Sequence, residues 1–311
     1  MTKRKLVYIL SPSYSGSTLL TMLMNVHPSI STIGELKATS MEPISDYMCS
    51  CGTNINECAF WDEIQAVLAG KNATLDLADY GTHFKSDKYI FDRILRAQVR
   101  GPLFEGLRKT IIDAVPALKS EYQAILNKNE LMVNAICENQ GGDYFLDGSK
   151  DPNRLLFMDR SGRWDIYVIY MIRDGRAQSN SARSKEDDKF DFYGAVNEWK
   201  STVLQMNEAC VQMTTQNVHH IKYEDLCESP SVEMNKIWSF LGLEEIEQDW
   251  SKVTISQKDQ HIIGNNMRKK DNITIRLDQR WNEKVTTEEL EYFDNQAGSL
   301  HAELGYQRTK R

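Results

Sequence analysis

The chain has 311 residues, enough for one large α/β domain or two smaller ones, and its 41% hydrophobic and 26% charged content is that of an ordinary folded globular protein. A net charge of −7 argues against a nucleic-acid binder that is basic over its whole surface, while leaving room for a local basic pocket. After the basic Met1-Thr2-Lys3-Arg4-Lys5 only five apolar residues follow, too few for a signal-peptide core, and the longest apolar run, 166–172, has seven residues and cannot span a bilayer, so a cytoplasmic location with no membrane span is the default.

Residues 6–10, LVYIL, have the length and branching of a buried strand. A loop of small and hydroxyl residues follows, Ser11-Pro12-Ser13-Tyr14-Ser15-Gly16-Ser17-Thr18, and then a helical pattern over 19–24. Strand, hydroxyl-rich loop and helix form a phosphate cradle: the first N–H groups of the helix lack intrahelical partners and its dipole favours an anion. Gly16 permits close approach of backbone to ligand. The loop is not a nucleoside-triphosphate P-loop, which reads G-x-x-x-x-G-K-[ST]; Ser11 stands at the first Gly and Ser17 at the Lys. The plainer alternative is a Ser-rich turn with a good helix cap.

Pro28 stops the helix, and 30–33 read as a second short strand that ends at Gly34-Glu35. In a parallel sheet ligands bind at the carboxyl ends of strands, which sets Glu35 on the same rim as the hydroxyl-rich loop. Roughly 36–143 form a helical insertion over that rim, with helical patterns at 60–68, 87–98, 103–115 and 122–137. Of six cysteines, Cys137, Cys210 and Cys227 are scattered and read as buried thiols. Cys49, Cys51 and Cys58 cluster in CSCGTNINEC; structural thiols, a redox pair and a zinc site all remain open, the last lacking a fourth ligand in the neighbouring sequence.

Sheet character returns at 144–146, and the run ends in Asp147-Gly148-Ser149-Lys150-Asp151-Pro152, which adds Lys150 to the rim. Residues 164–172, WDIYVIYMI, read as a central strand buried on both faces. It ends in Arg173-Asp174-Gly175-Arg176, and a helix carrying Ser181 begins; a guanidinium at a strand end with a nearby hydroxyl suits a phosphate. Further on come a helix at 190–213, a strand at 218–223, a helix at 230–243, the basic cluster Arg268-Lys269-Lys270 and a last helix at 287–300.

Taken in order, SYSGSTLL at 13–20, DGSKDP at 147–152, YVIYMIRDGRAQSNS at 167–181, IKYEDL at 221–226 and HIIGNNMR at 261–268 resemble the sulfotransferases that use 3′-phosphoadenosine 5′-phosphosulfate (PAPS), of the bacterial type with tyrosylprotein-sulfotransferase-like motifs. The cysteine segment also recurs in bacterial members, without an assigned role. The resemblance implies an α/β fold with a P-loop NTPase-like central parallel sheet flanked by helices, one domain over 1–311, and a helical insertion over the active site. It implies sulfuryl transfer from PAPS to a hydroxyl or amine of a small-molecule, lipid or glycan acceptor, with no metal required and no nucleic-acid partner. Ser13, Tyr14, Ser15, Gly16, Ser17 and Thr18 are implied to hold the 5′ end of PAPS, and Arg173, Ser181 and Arg268 its 3′-phosphate; Tyr223 and Lys269 join the nucleotide-binding set. Lys150 is implied to stabilise the leaving oxygen and Glu35 to act as general base, with His261 next in line. Two departures stand out: Tyr14 occupies a position where many members carry a cation, and Glu35 lies one residue further from His27-Pro28 than the pattern has it. The rival readings are a P-loop kinase-like nucleotide enzyme and a non-catalytic nucleotide-binding protein.

Overall fold

A computed structural model describes residues 3–37, 45–183, 191–250, 261–262 and 274–307. The chain runs β1 (Arg4–Leu10), α1 (Ser17–Met24), β2 (Ile30–Thr32), α2 (Ala59–Gly70), α3 (Tyr89–Leu95), α4 (Pro102–Ala114), α5 (Pro116–Gln140), β3 (Tyr144–Asp147), α6 (Pro152–Ser161) and β4 (Trp164–Ile172). It continues through α7 (Gly175–Arg183), α8 (Phe192–Gln212), β5 (Val218–Lys222), α9 (Tyr223–Glu228), α10 (Pro230–Leu241), α11 (Trp281–Lys284) and α12 (Thr287–Glu303). No helix among the described residues is long and apolar enough to cross a membrane.

The five strands form one sheet in the order β2-β3-β1-β4-β5, and every pairing is parallel. This is the fold class read from the sequence. Alternation along the strands sorts the core into two layers. Leu6, Tyr8 and Leu10 of β1, Phe145 of β3 and Ile166, Val168 and Tyr170 of β4 share one face with Trp61 and Ile64 of α2 and Met132, Val133 and Ile136 of α5. Val7, Ile9, Leu146, Ile169 and Met171 share the other with Leu19, Leu20 and Leu23 of α1 and Ile237 and Trp238 of α10. Because β1 and β4 are buried on both faces, their sequences read as nearly continuous apolar runs.

Helices α2 to α5 all lie between β2 and β3 in the chain. The longest, α5, starts with Pro116 at its first turn and ends at Gly141, whose φ of 81° is the left-handed conformation that terminates helices. Strand β1 sits between β3 and β4, so the chain leaves it toward one side and returns on the other. In open α/β sheets the crevice at such a reversal, beyond the carboxyl ends of the strands, is where ligands bind.

Candidate functional site

The loop after β1 turns sharply into α1. Tyr14 has φ 64° and Gly16 φ 86°. Gly16 is the residue before α1 and offers no side-chain cap, and the first turn holds no acidic residue, so the leading N–H groups of α1 keep no side-chain partner there. A Cβ on Gly16 would fall 2.4 Å from Tyr223 Cδ2 and 3.2 Å from Met171 Cε. Only glycine fits, on grounds of both φ and space.

The loop after β3 is equally determined. Asp151 caps α6 by accepting from the N–H groups of Asn153 (3.0 Å) and Arg154 (3.3 Å). Tyr8 donates its hydroxyl to the Asp151 carbonyl (2.9 Å) and accepts from the Asp151 N–H (3.0 Å). Between these fixed points Lys150 takes φ 66°, a strained conformation for a residue with a side chain. The segment after β2 is stitched to this loop: Gly148 N–H donates to Gly34 O (2.8 Å), Leu36 N–H to Asp147 Oδ1 (3.3 Å) and Lys37 N–H to Ser149 Oγ (2.9 Å). The stitching brings Lys150 Nζ to 2.5 Å from Glu35 Oε1, joining two residues 115 apart in the chain.

At the end of β4, Arg173 is buried. Its Nη1 donates to Tyr14 O (3.0 Å) and Ser181 Oγ (3.2 Å), its Nη2 donates to Asp278 O (3.1 Å), and the guanidinium lies 4.6 Å from the Tyr223 ring centre. Its Nε has no hydrogen-bond partner among the described residues, and neither has the buried Oγ of Ser15. Asp278 lies 3.4 Å from Arg173 Nη2 and 2.8 Å from Arg280 Nη2. The hydrogen bonds from Arg280 hold its carboxyl well below the usual carboxylate range.

These segments enclose a cavity of about 380 Å³, within the usual size range for small-ligand sites. Tyr14, Gly16, Ser17, Thr18, Lys150, Arg173, Ser181 and Tyr223 line it. A small crevice beside it is lined by Ser17, Thr18, Glu35 and Ile262. Of the residues singled out from the sequence, Ser13 is exposed, with its carbonyl accepting from Gln178 Nε2 at 2.7 Å, and Ser15 is buried beneath the loop; neither is among the lining residues. Arg268 and Lys269 lie outside the described residues. His261 points Nδ1 at the thiols of Cys58 (3.3 Å) and Cys49 (3.6 Å).

Sequence reading missed Asn180, Thr274, Arg276, Arg280 and Lys284, which also line the cavity. Arg276 and Arg280 lie outside any helix or strand, so no periodic pattern in the sequence marks them. Five cationic side chains therefore converge here in an acidic chain, and none of the described lining residues is acidic. Such a lining, with the start of α1 beside it, has the chemistry that suits an anionic ligand.

Residues 103–248, just under half of the chain, match the model of the sulfotransferase family. The family resemblance read from the motifs is borne out by that match, which takes in Lys150, Arg173, Ser181 and Tyr223. No curated protein matches the chain in sequence. Among solved structures, the chain is similar to the sulfotransferase domain from the curacin biosynthetic pathway (16% identity, 99% of this chain and 100% of that one, TM-score 0.48). It is similar also to the sulfotransferase domain from the Synechococcus PCC 7002 olefin synthase (14%, 98% and 97%, TM-score 0.46). A third is mouse sulfotransferase SULT7A1 complexed with PAP (11%, 98% and 89%, TM-score 0.45).

Proposed function

We propose that the protein transfers a sulfuryl group from PAPS to a hydroxyl or amine of a carbohydrate, lipid or natural-product acceptor. The observation that carries this reading is the convergence of five cations and an uncapped helix N-terminus on one cavity, with the Glu35–Lys150 ion pair at its edge. Gly16, Ser17, Thr18 and Lys150 line the cavity together with Arg173 and Ser181, whose side chains are hydrogen-bonded to each other. A ligand with two separated anionic groups fits this lining, and the unpartnered Nε of Arg173 suits an acceptor oxygen from it.

PAPS, when bound, supplies a sulfuryl group on a stable anionic leaving group. The chain must then align the acceptor and stabilise charge on the leaving oxygen, the task of Lys150 and the α1 N-terminus. Glu35 takes the acceptor proton, and its contact with Lys150 orients the carboxylate at the edge of the cavity. The rival reading, a Mg²⁺-nucleoside-triphosphate enzyme, lacks the P-loop lysine, and no carboxylate to hold the metal is among the described lining residues. A test is incubation with radiolabelled PAPS and an extract of cells that encode the protein. Label moving into a non-nucleotide product supports the reading. Label that stays in PAPS while ATP is turned over with Mg²⁺ contradicts it.

A further inference from the structure

Three cysteines and one histidine meet beside the site without a part in the proposed reaction. Cys49, Cys51, Cys58 and His261 bring their donor atoms within 4.8 Å of one another, although the histidine lies 203 residues beyond Cys58. This supplies the fourth ligand that the neighbouring sequence lacks. All three cysteines are free thiols.

The distances match one kind of occupant. A tetrahedral zinc ion with Zn–S of about 2.3 Å and Zn–N of about 2.0 Å sets S···S edges of about 3.8 Å and S···N edges of about 3.5 Å. Here Cys51 Sγ and Cys58 Sγ are 3.5 Å apart, and His261 Nδ1 lies 3.3 Å from Cys58 Sγ and 3.6 Å from Cys49 Sγ. The backbone is shaped for the purpose. Met48 and Asn54 pair as an antiparallel bridge, Cys49 N–H donates to Thr53 O (2.9 Å), and Gly52 turns the chain at φ 88°, so one tight hairpin presents Cys49 and Cys51. Cys58 stands immediately before α2, so the start of that helix fixes where its side chain sits. The His261 ring stacks on Phe60 at 4.4 Å and 4°, and Ile262 N–H donates to Ser50 Oγ (2.8 Å), which fixes the histidine's approach.

We propose that Cys49, Cys51, Cys58 and His261 bind a structural zinc ion. Three thiolates and an imidazole complete its tetrahedral shell, leaving no position for water or substrate, and soft S₃N donor sets of this geometry select zinc over oxygen-preferring cations. The ion staples 261–262 to the hairpin and to α2. Ile262, the next residue, lines the crevice that Glu35 and Thr18 share, so the zinc holds one wall beside the general base proposed above. The zinc assignment itself does not depend on that reading.

The test is metal analysis of full-length protein purified under reducing conditions without chelator. The expected result is one zinc per chain, falling to none in Cys58→Ser and at least tenfold in occupancy in His261→Ala. Since either variant could fail to fold, chelator-stripped wild-type protein is also titrated with Co²⁺. The expected spectrum has tetrahedral d–d bands and thiolate-to-cobalt charge transfer, both displaced by Zn²⁺. Hydrogen exchange in 45–62 is expected to rise on stripping and recover with Zn²⁺. A protein that takes up neither ion, an octahedral cobalt spectrum, iron in place of zinc, a disulfide among these cysteines under reducing conditions, or full zinc retention by His261→Ala would each overturn the proposal. Sulfuryl transfer can fail while zinc binding holds, and the reverse, so the two readings are separable.

Discussion

At the residue scale, Arg173 and Lys150 are held in different ways. Arg173 spends both terminal nitrogens on Tyr14, Ser181 and Asp278 and is stacked on Tyr223, so its position is fixed before any ligand arrives. Lys150 sits on a strained backbone position and is tied down chiefly through Glu35. A pre-fixed guanidinium contributes mainly to binding, whereas an ammonium beside the reacting groups contributes where charge develops. Arg173→Ala is expected to weaken binding of 3′-phosphoadenosine 5′-phosphate (PAP) roughly 100-fold, about 3 kcal/mol, with a smaller change in turnover at saturation. Lys150→Ala is expected to lower kcat roughly 100- to 1,000-fold with PAP affinity changed only a few-fold. Calorimetry with steady-state rates checks both, and equal losses of affinity in the two variants would contradict this division. Glu35→Gln is expected to lose activity by roughly 100-fold or more while keeping its thermal shift with PAP; substantial retained turnover would move the base elsewhere.

At the scale of elements, the site depends on three connecting loops more than on the strands they follow. Gly16 is packed under Tyr223 in a left-handed conformation, so Gly16→Ala must move the ring or the helix start. It is expected to weaken PAP binding at least 10-fold with the far-ultraviolet spectrum unchanged. The Lys150 loop is braced from below by Arg154, which is buried and donates to Asp147 Oδ2 (2.9 Å), to Thr82 O (2.7 Å) and to Asn129 Oδ1. Arg154→Leu leaves the Asp147 carboxylate buried without its partner and is expected to cost about 3–5 kcal/mol in denaturant unfolding. Residues 164–172 are a strand with the bounds read from the sequence, because a nearly continuous apolar run flanked by polar residues admits little else. Helix α3 is shorter than the 87–98 pattern at both ends, running from Tyr89 to Leu95, the one residue of it that is buried. Helix α5 starts at Pro116, earlier than 122, in a first turn where Leu118 is the one buried residue and the apolar pattern is thin. Arg276 and Arg280 went unread because they lie outside any helix or strand, and the His261 contact because no local pattern reports a partner some two hundred residues away.

On the scale of the whole molecule, a chain of net charge −7 brings five cationic side chains to one cavity at the rim of the sheet, an arrangement that favours an anion there. Buried carboxylates hold the rim in shape. Asp174 accepts from the Arg176 N–H and from its Nε, both at 2.9 Å. Burial opposes its ionisation, but Arg176 and His301 outweigh burial and hold the carboxyl well below the usual range. A depressed folded-state pKa means stability that is fully present above the unfolded value, about pH 4, and that drains away as pH falls through the folded value. Asp174→Asn is therefore expected to cost about 1–3 kcal/mol at neutral pH and to flatten the acid limb of the stability profile below about pH 4. Whether one cavity reads two anionic groups of a single ligand is decided by calorimetric titration of the wild-type protein with PAP and with adenosine 5′-monophosphate. The expected result is PAP binding roughly 100-fold tighter, with the preference erased in Arg173→Ala. Equal affinity for the two nucleotides, or no binding of PAP, would contradict it.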